Sequence, residues 1–229
     1  MTRRIGMLIF PRPIQLDMTG PYEVLARLPD TQVDLVAKTM DPVTTDRGMQ
    51  IVPTVTYETC PPLDIVMVPG GPGQQDLMED EAALSFLRKQ AAGAKYVTSV
   101  CTGSLVLAAA GLLKGKRATC HWAAIEHLAL LGAVPTKERV VVDGNVVTGA
   151  GVASGIDFAL TLASILEGEA VAREIQLQIE YDPDPPFDGG SPKTAQPETI
   201  AALSSRLSKL NEERRTVATR VGRKLGTAP

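Results

Sequence analysis

The stretch YVTSVCTGSLVLAAAGLL, residues 96–113, sets a β-branched run against an apolar helix-like run, with a cysteine at the joint. Val97, Thr98 and Val100 favour extended backbone, whereas the leucines and alanines from 105 onward favour helix. Cys101 therefore closes a strand, and Gly103-Ser104 opens a helix. That order resembles a nucleophile elbow, in which a strained residue at a strand-to-helix turn presents its side chain above a sheet.

Working outward, residues 5–10 (IGMLIF), 33–37 (VDLVA) and 65–68 (IVMV) are further short runs rich in apolar and β-branched residues. Such runs suit strands of a parallel sheet buried on both faces. Helix-like segments at 22–28, 81–92 and 104–110 alternate with them, which predicts an α/β fold with helices on both sides of the sheet. Farther on, WAAIEHLALL (122–131) reads as a helix ended by Gly132, and 140–142 with 146–148 read as a hairpin around Asp143-Gly144-Asn145. Helices are expected at 155–166 and 169–180. YDPDPPFDGGSP (181–192) is a loop by its Pro, Gly and Asp content. Residues 197–225 form a helix of mixed charge, read as solvated or packed on a dimer partner. The expected division is one main domain over 1–192 and a helical extension over 193–229.

Composition narrows the function. The 229 residues are 44% hydrophobic, enough for a real core. With 23 Lys+Arg against 26 Asp+Glu the net charge is −3, so no general basic excess points to nucleic acid. Cys60, Cys101 and Cys120 are odd in number and lack a C-x-x-C pair, which argues against a disulfide framework or a metal site. The apolar run in MTRRIGMLIFPRP is broken by proline too early for a signal peptide. No run reaches membrane-spanning length, so the expectation is a cytoplasmic protein without membrane attachment.

In open α/β sheets reactive groups collect at the carboxyl ends of the strands, and three segments fall there together. Cys101 is one; the helix N-terminus beside it is expected to lower its thiol pKa. MVPGGPG (67–73) is the second, where Gly70 and Gly71 allow close backbone approach and can aim N–H groups at developing charge. QLDMTGPYEVL (15–25) is the third. Its Asp17 reads either as a helix cap or as a carboxyl whose pKa rises beside a thiolate, so that it donates a hydrogen bond to sulfur. RATCHW adds His121, open as a Cys–His dyad partner or as a structural hydrogen-bonder, whereas Glu126 and His127 read as surface-facing. Cys60 and Cys120 read as packed thiols.

With LDMTGPYEVL, VPGG, TSVCTGSLVLAAAGLLKGKRATCHW and VVTGAGVASGIDFALTL in this order, the chain resembles the PfpI-like superfamily of class I glutamine-amidotransferase-like proteins. Within it, the sequence is most similar to the isocyanide hydratases. The resemblance implies a flavodoxin-like three-layer sandwich with a mostly parallel central sheet, a homodimer, and the nucleophile Cys101 at the elbow. It also implies Asp17 as the acidic partner, Thr102 facing the site, and Gly70, Gly71 and Val152 lining the place of an isocyanide substrate, with neither metal nor organic cofactor. Many members of the superfamily carry a glutamate near the first strand and a histidine after the cysteine. Asp17 and Thr102 stand there instead, which sets the chain apart from the peptidase and deglycase branches.

Two rival readings remain at this level. One is another cysteine-dependent enzyme of the superfamily, a glyoxalase, deglycase or amidase. The other is a non-catalytic ligand binder, because CTGSLVLAAAGLL and RATCHW also resemble the sensor domains of AraC-type regulators. Fewer than 40 residues follow Ser191, too few for the paired helix-turn-helix units of such regulators.

Overall fold

Successive side chains of a strand point to opposite faces, so a run that is apolar at every position needs a cover on both. The structure, a computed structural model describing residues 2–228, provides two covers. Along the chain lie β1 (Arg3–Leu8), α1 (Gln15–Leu25), β2 (Thr31–Ala37), β3 (Val43–Thr44), β4 (Gln50–Ile51), β5 (Val55–Thr56) and β6 (Ile65–Val68). Then come α2 (Gln74–Leu77), α3 (Glu81–Ala91), β7 (Tyr96–Val100), α4 (Gly103–Ala109), β8 (Arg117–Ala118), α5 (His127–Leu130), β9 (Val134–Pro135), β10 (Val140–Asp143) and β11 (Val146–Gly149). Helices α6 (Ser154–Glu167), α7 (Glu169–Gln178) and α8 (Pro197–Leu225) complete the described chain.

Seven strands form one sheet in the order β10-β11-β7-β6-β1-β2-β5. All neighbours are parallel except β10, which returns antiparallel on β11. That return is the expected hairpin: Asp143 pairs with Val146, and Gly144 at φ 64° makes the two-residue turn. On one face, Leu8, Val66, Val68 and Val97 pack with Leu84, Leu87, Leu105, Leu128, Ala218 and Val221 of α3, α4, α5 and α8. On the other, Ile5, Met7, Ile65 and Met67 pack with Met18, Leu25, Phe158, Leu162 and Ile175 of α1, α6 and α7. The result is the expected three-layer α/β sandwich.

Helix limits follow local chemistry. Asp80 caps α3 by accepting from the N–H groups of Ala82 (3.0 Å) and Ala83 (3.4 Å). Helix α8 begins with Pro197 in its first turn and ends at Gly226 in the left-handed conformation, φ 69°. Two expectations need correction. Helix α1 starts at Gln15 rather than Tyr22, because Ile14 N–H is held by the Gly70 carbonyl (3.0 Å) and fixes the chain's entry. The segment read as a helix over 122–131 is helical only from His127; residues 122–126 form turns, with Ala123 N–H donating to His121 Nδ1 (3.3 Å). Among the described residues, no helix is long and apolar enough to cross a membrane.

Candidate active site

Cys101 follows the last residue of β7 and lies in the left-handed region at φ 58°, where a non-glycine residue costs about 1–3 kcal/mol. The conformation is held by its own N–H, shared between the carbonyls of Gly149 (3.0 Å), the last residue of β11, and of Ala150 (2.7 Å) just after it. Helix α4 starts two residues later. A Cβ on Gly103 would lie 2.0 Å from the Val68 carbonyl oxygen, so glycine is what lets α4 press onto the end of β6. The elbow expected from the sequence is present.

Asp17 comes from the first turn of α1 and is fully buried. Gly70 N–H donates to its Oδ2 (2.9 Å), and the Cys101 thiol interacts with the carboxyl so as to favour its charged form. Its other oxygen, Oδ1, has no partner. Burial pushes the Asp17 carboxyl up from 3.8 to about 7, against the pull of the bonds from Cys101 and Gly70. The direction matches the sequence reading, but the main cause is lost solvation rather than a neighbouring thiolate.

Cys101 departs from its expectation more clearly. Burial, reinforced by the negative charge of Asp17, raises the thiol well above its ordinary range, and the bond from Thr102 N–H counters only part of this. The resting pair is therefore a protonated thiol beside a carboxyl whose own pKa is raised to about 7.

Thr102 is buried at the head of α4, and its Oγ1 accepts from Gly71 N–H (3.0 Å). Both N–H groups of the Gly70-Gly71 turn are thus engaged by side chains, one by Asp17 and one by Thr102. A Cβ on Gly70 would sit 2.5 Å from Thr102 N and 2.8 Å from Asp17 Oδ2, so the turn must be bare to pass between them. Val152, half-buried in the turn before α6, packs with the cluster that contains Cys101. His121 lies beside the same turn, its ring 3.1 Å from where a Cβ on Gly151 would fall. Burial first, then the charge of Arg214, pushes His121 down to about 4, so it is neutral near pH 7.

Two buried groups at this end of the sheet were not found by sequence reasoning. Ser154 opens α6 fully buried, with its Oγ unpartnered. Arg214 of α8 is 6% exposed, although its neighbourhood in the sequence reads as a solvated charge run. Its only signal is spacing: Arg214, Ala218, Val221 and Gly222 repeat at i, i+4, i+7 and i+8, the stripe of a helix face. His127, read as surface-facing, has its Nε2 buried and unpartnered, while Glu126 faces solvent and pairs with Lys137. Among the described residues there is no group of three or more His, Cys, Asp or Glu able to hold a metal ion.

A thiol at a strained strand-end turn, paired with a carboxyl from the first helix, is the arrangement on which comparison with known proteins bears. The chain is 56% identical over 225 residues to "Isonitrile hydratase" of Pseudomonas putida, covering 98% of this chain and 99% of that protein. It is 31% identical over 157 residues to "Glutathione-independent glyoxalase DJR-1.2" of Caenorhabditis elegans, covering 68% of this chain and 82% of that one. Among solved structures, a THiJ/PfpI family protein from Pseudomonas syringae superimposes with a TM-score of 0.93 at 43% identity, covering 95% of this chain and 91% of that one. The DJ-1/PfpI family pattern matches residues 3–165, which hold the whole sheet, the elbow and Asp17. The chain belongs to the DJ-1/PfpI family.

Proposed function

We propose that this protein is a cysteine-dependent hydro-lyase that adds water to an isonitrile (isocyanide) to give an N-substituted formamide. The observation that carries this reading is the near full-length, 56% identity to an isonitrile hydratase. The chemistry of the Cys101–Asp17 pair agrees with it.

Cys101 is the nucleophile and Asp17 the proton carrier. The terminal carbon of R–N≡C accepts both a proton and a soft sulfur. Asp17 takes the proton from Cys101 Sγ and passes it to that carbon as the S–C bond forms, giving the thioimidate R–N=CH–S–Cys101. Water then adds to the same carbon. One of its protons goes to the nitrogen and the other to Asp17, which returns it to the sulfur as the C–S bond breaks. The products are R–NH–CHO and the free thiol, so water and isonitrile are the only reactants consumed.

Thr102, fixed by Gly71 N–H, orients the acid or the water, while Gly70 holds the Asp17 carboxyl and Val152 borders the substrate. A neutral His121 acts as a hydrogen-bonding wall rather than as the acid. The domain over 1–192 carries this machinery, and in the extension that follows it α8 packs on α4 and α5. The assembly is a cytoplasmic homodimer, a reading supported by three free cysteines and by the superfamily resemblance.

The test is p-nitrophenyl isocyanide with purified protein, followed by absorbance and product identification, with glyoxal as the comparison substrate. Conversion to the formamide is expected. Turnover of glyoxal with none of the isocyanide overturns the reading in favour of the glyoxalase branch.

A further inference from the structure

One of the two carbonyls that hold the Cys101 N–H belongs to Ala150, the first residue of the turn that links β11 to α6. The turn's internal bonds are short-range: Ser154 N–H donates to the Gly151 carbonyl (2.8 Å) and Gly155 N–H to that of Val152 (3.1 Å). Arg139, the residue before β10, grips this turn at both ends. Its carbonyl accepts from Ala150 N–H (2.9 Å), one step beyond the Val140–Gly149 pair of the β10–β11 ladder. Its guanidinium reaches the first turn of α6, where Nε (2.8 Å) and Nη2 (2.5 Å) both donate to Asp157 Oδ2. Tyr181 OH, just past α7, donates to the same oxygen (3.0 Å).

We propose that Arg139 is a positioning residue for the nucleophile: with its carbonyl on Ala150 and its guanidinium on Asp157, it fixes the β11–α6 turn that keeps Cys101 in the left-handed conformation.

The placement of Arg139 supports this assignment. Strand β10 is four residues long and lies at the edge of the sheet, where the last pair of a ladder frays unless something holds it. The adjacent carbonyl, of Glu138, accepts from Thr119 Oγ1 (2.7 Å), and two residues on from Thr119 the His121 ring lies beside Gly151. Neighbouring carbonyls therefore hold both segments that meet at the turn. The Arg139 and Asp157 side chains are 54% and 32% exposed, so their ion pair adds little to global stability. Its consequence is local. From Arg139 to the nucleophile the path is two backbone hydrogen bonds, Ala150 N–H to the Arg139 carbonyl and Cys101 N–H to the Ala150 carbonyl (2.7 Å). A residue at φ 58° keeps that conformation only while its surroundings impose it, and a shift of about 1 Å at a reacting atom can cost about 10²-fold in rate.

This inference rests on Cys101 as the nucleophile, and one of its two readouts needs no isonitrile. Wild type, Arg139→Met, Arg139→Lys and Asp157→Asn are compared by kcat and KM for p-nitrophenyl isocyanide, and by amide hydrogen exchange of peptides spanning 99–105 and 149–154. Arg139→Met and Asp157→Asn are each expected to lower kcat about tenfold with KM within about threefold, and to speed exchange in both peptides about tenfold, with exchange over 65–68 unchanged. Arg139→Lys, which can still donate to Asp157, should stay within about threefold of wild type in both readouts, and the Arg139→Met/Asp157→Asn double variant should be no slower than either single one. A folded Arg139→Met with wild-type kcat or wild-type exchange overturns the proposal. Failure of both Arg139→Met and Asp157→Asn to fold assigns the pair to stability alone and also overturns it. Faster exchange in a protein whose wild type hydrates no isonitrile leaves the positioning of Cys101 standing and removes the reading of the substrate.

Discussion

Replacing Asp17 by asparagine should make the protein more stable while removing its activity, and the gain should depend on pH in a way that the structure fixes. In the folded protein Asp17 holds its proton up to about pH 7, while its ordinary pKa, taken for the unfolded chain, is 3.8. Between those values the native state binds the extra proton, so this group's contribution to stability falls as pH rises, by about 1.4 kcal/mol per pH unit. Over the interval of roughly three units the burden reaches about 4 kcal/mol. Asparagine has no charge to bury, and its amide oxygen can still accept from Gly70 N–H. The variant should therefore match the wild type within about 1 kcal/mol near pH 4 and exceed it by about 3 to 4 kcal/mol near pH 8. Urea denaturation at several pH values up to 8, where Cys101 stays protonated in the folded protein, measures this, with the groups that do not interact with Asp17 cancelling in the difference. A wild-type-minus-variant difference that is flat with pH, or that favours aspartate at high pH, refutes the reasoning.

Two further outcomes follow from the site's geometry. Because the Asp17 carboxylate must receive the thiol proton, kcat/KM for isonitrile hydration should rise with pH through a midpoint at about 7; a profile flat from mildly acidic to mildly alkaline pH contradicts the relay. Gly103→Ala forces a Cβ to within 2.0 Å of the Val68 carbonyl oxygen and should cost about 2–3 kcal/mol in urea unfolding and most of the activity, whereas Gly93→Ala, with nothing within 4 Å, should change neither.

What the sequence made legible is what local pattern encodes. The runs IVMV and YVTSV are strands with the expected limits, because every position in them is apolar or small and both faces are covered. The elbow at Cys101 was visible because a β-branched run, a cysteine and a Gly-Ser helix start adjoin in sequence. The misread features depend on distant partners. Helix α1 begins early because a carbonyl more than fifty residues away holds Ile14, and the turns at 122–126 follow the bond from Ala123 to the His121 ring. The thiol was expected to be acidic from its place at a helix start. Burial and Asp17 reverse that direction, and neither can be weighed before the chain is folded. Arg214 was hidden because its charge run Glu212-Glu213-Arg214-Arg215 masks it, and only its spacing from Ala218, Val221 and Gly222 separates the buried arginine from its exposed neighbours.

The central claim is that the Cys101 sulfur bonds to the isonitrile carbon, and Cys101→Ala tests it most directly. The variant keeps the fold, since alanine fills the buried position without strain beyond that already present, and circular dichroism can verify this. Incubated with p-nitrophenyl isocyanide, it should release no formamide above the buffer rate, a loss of at least about 10³-fold. Formamide at a rate near that of the wild type would contradict the account.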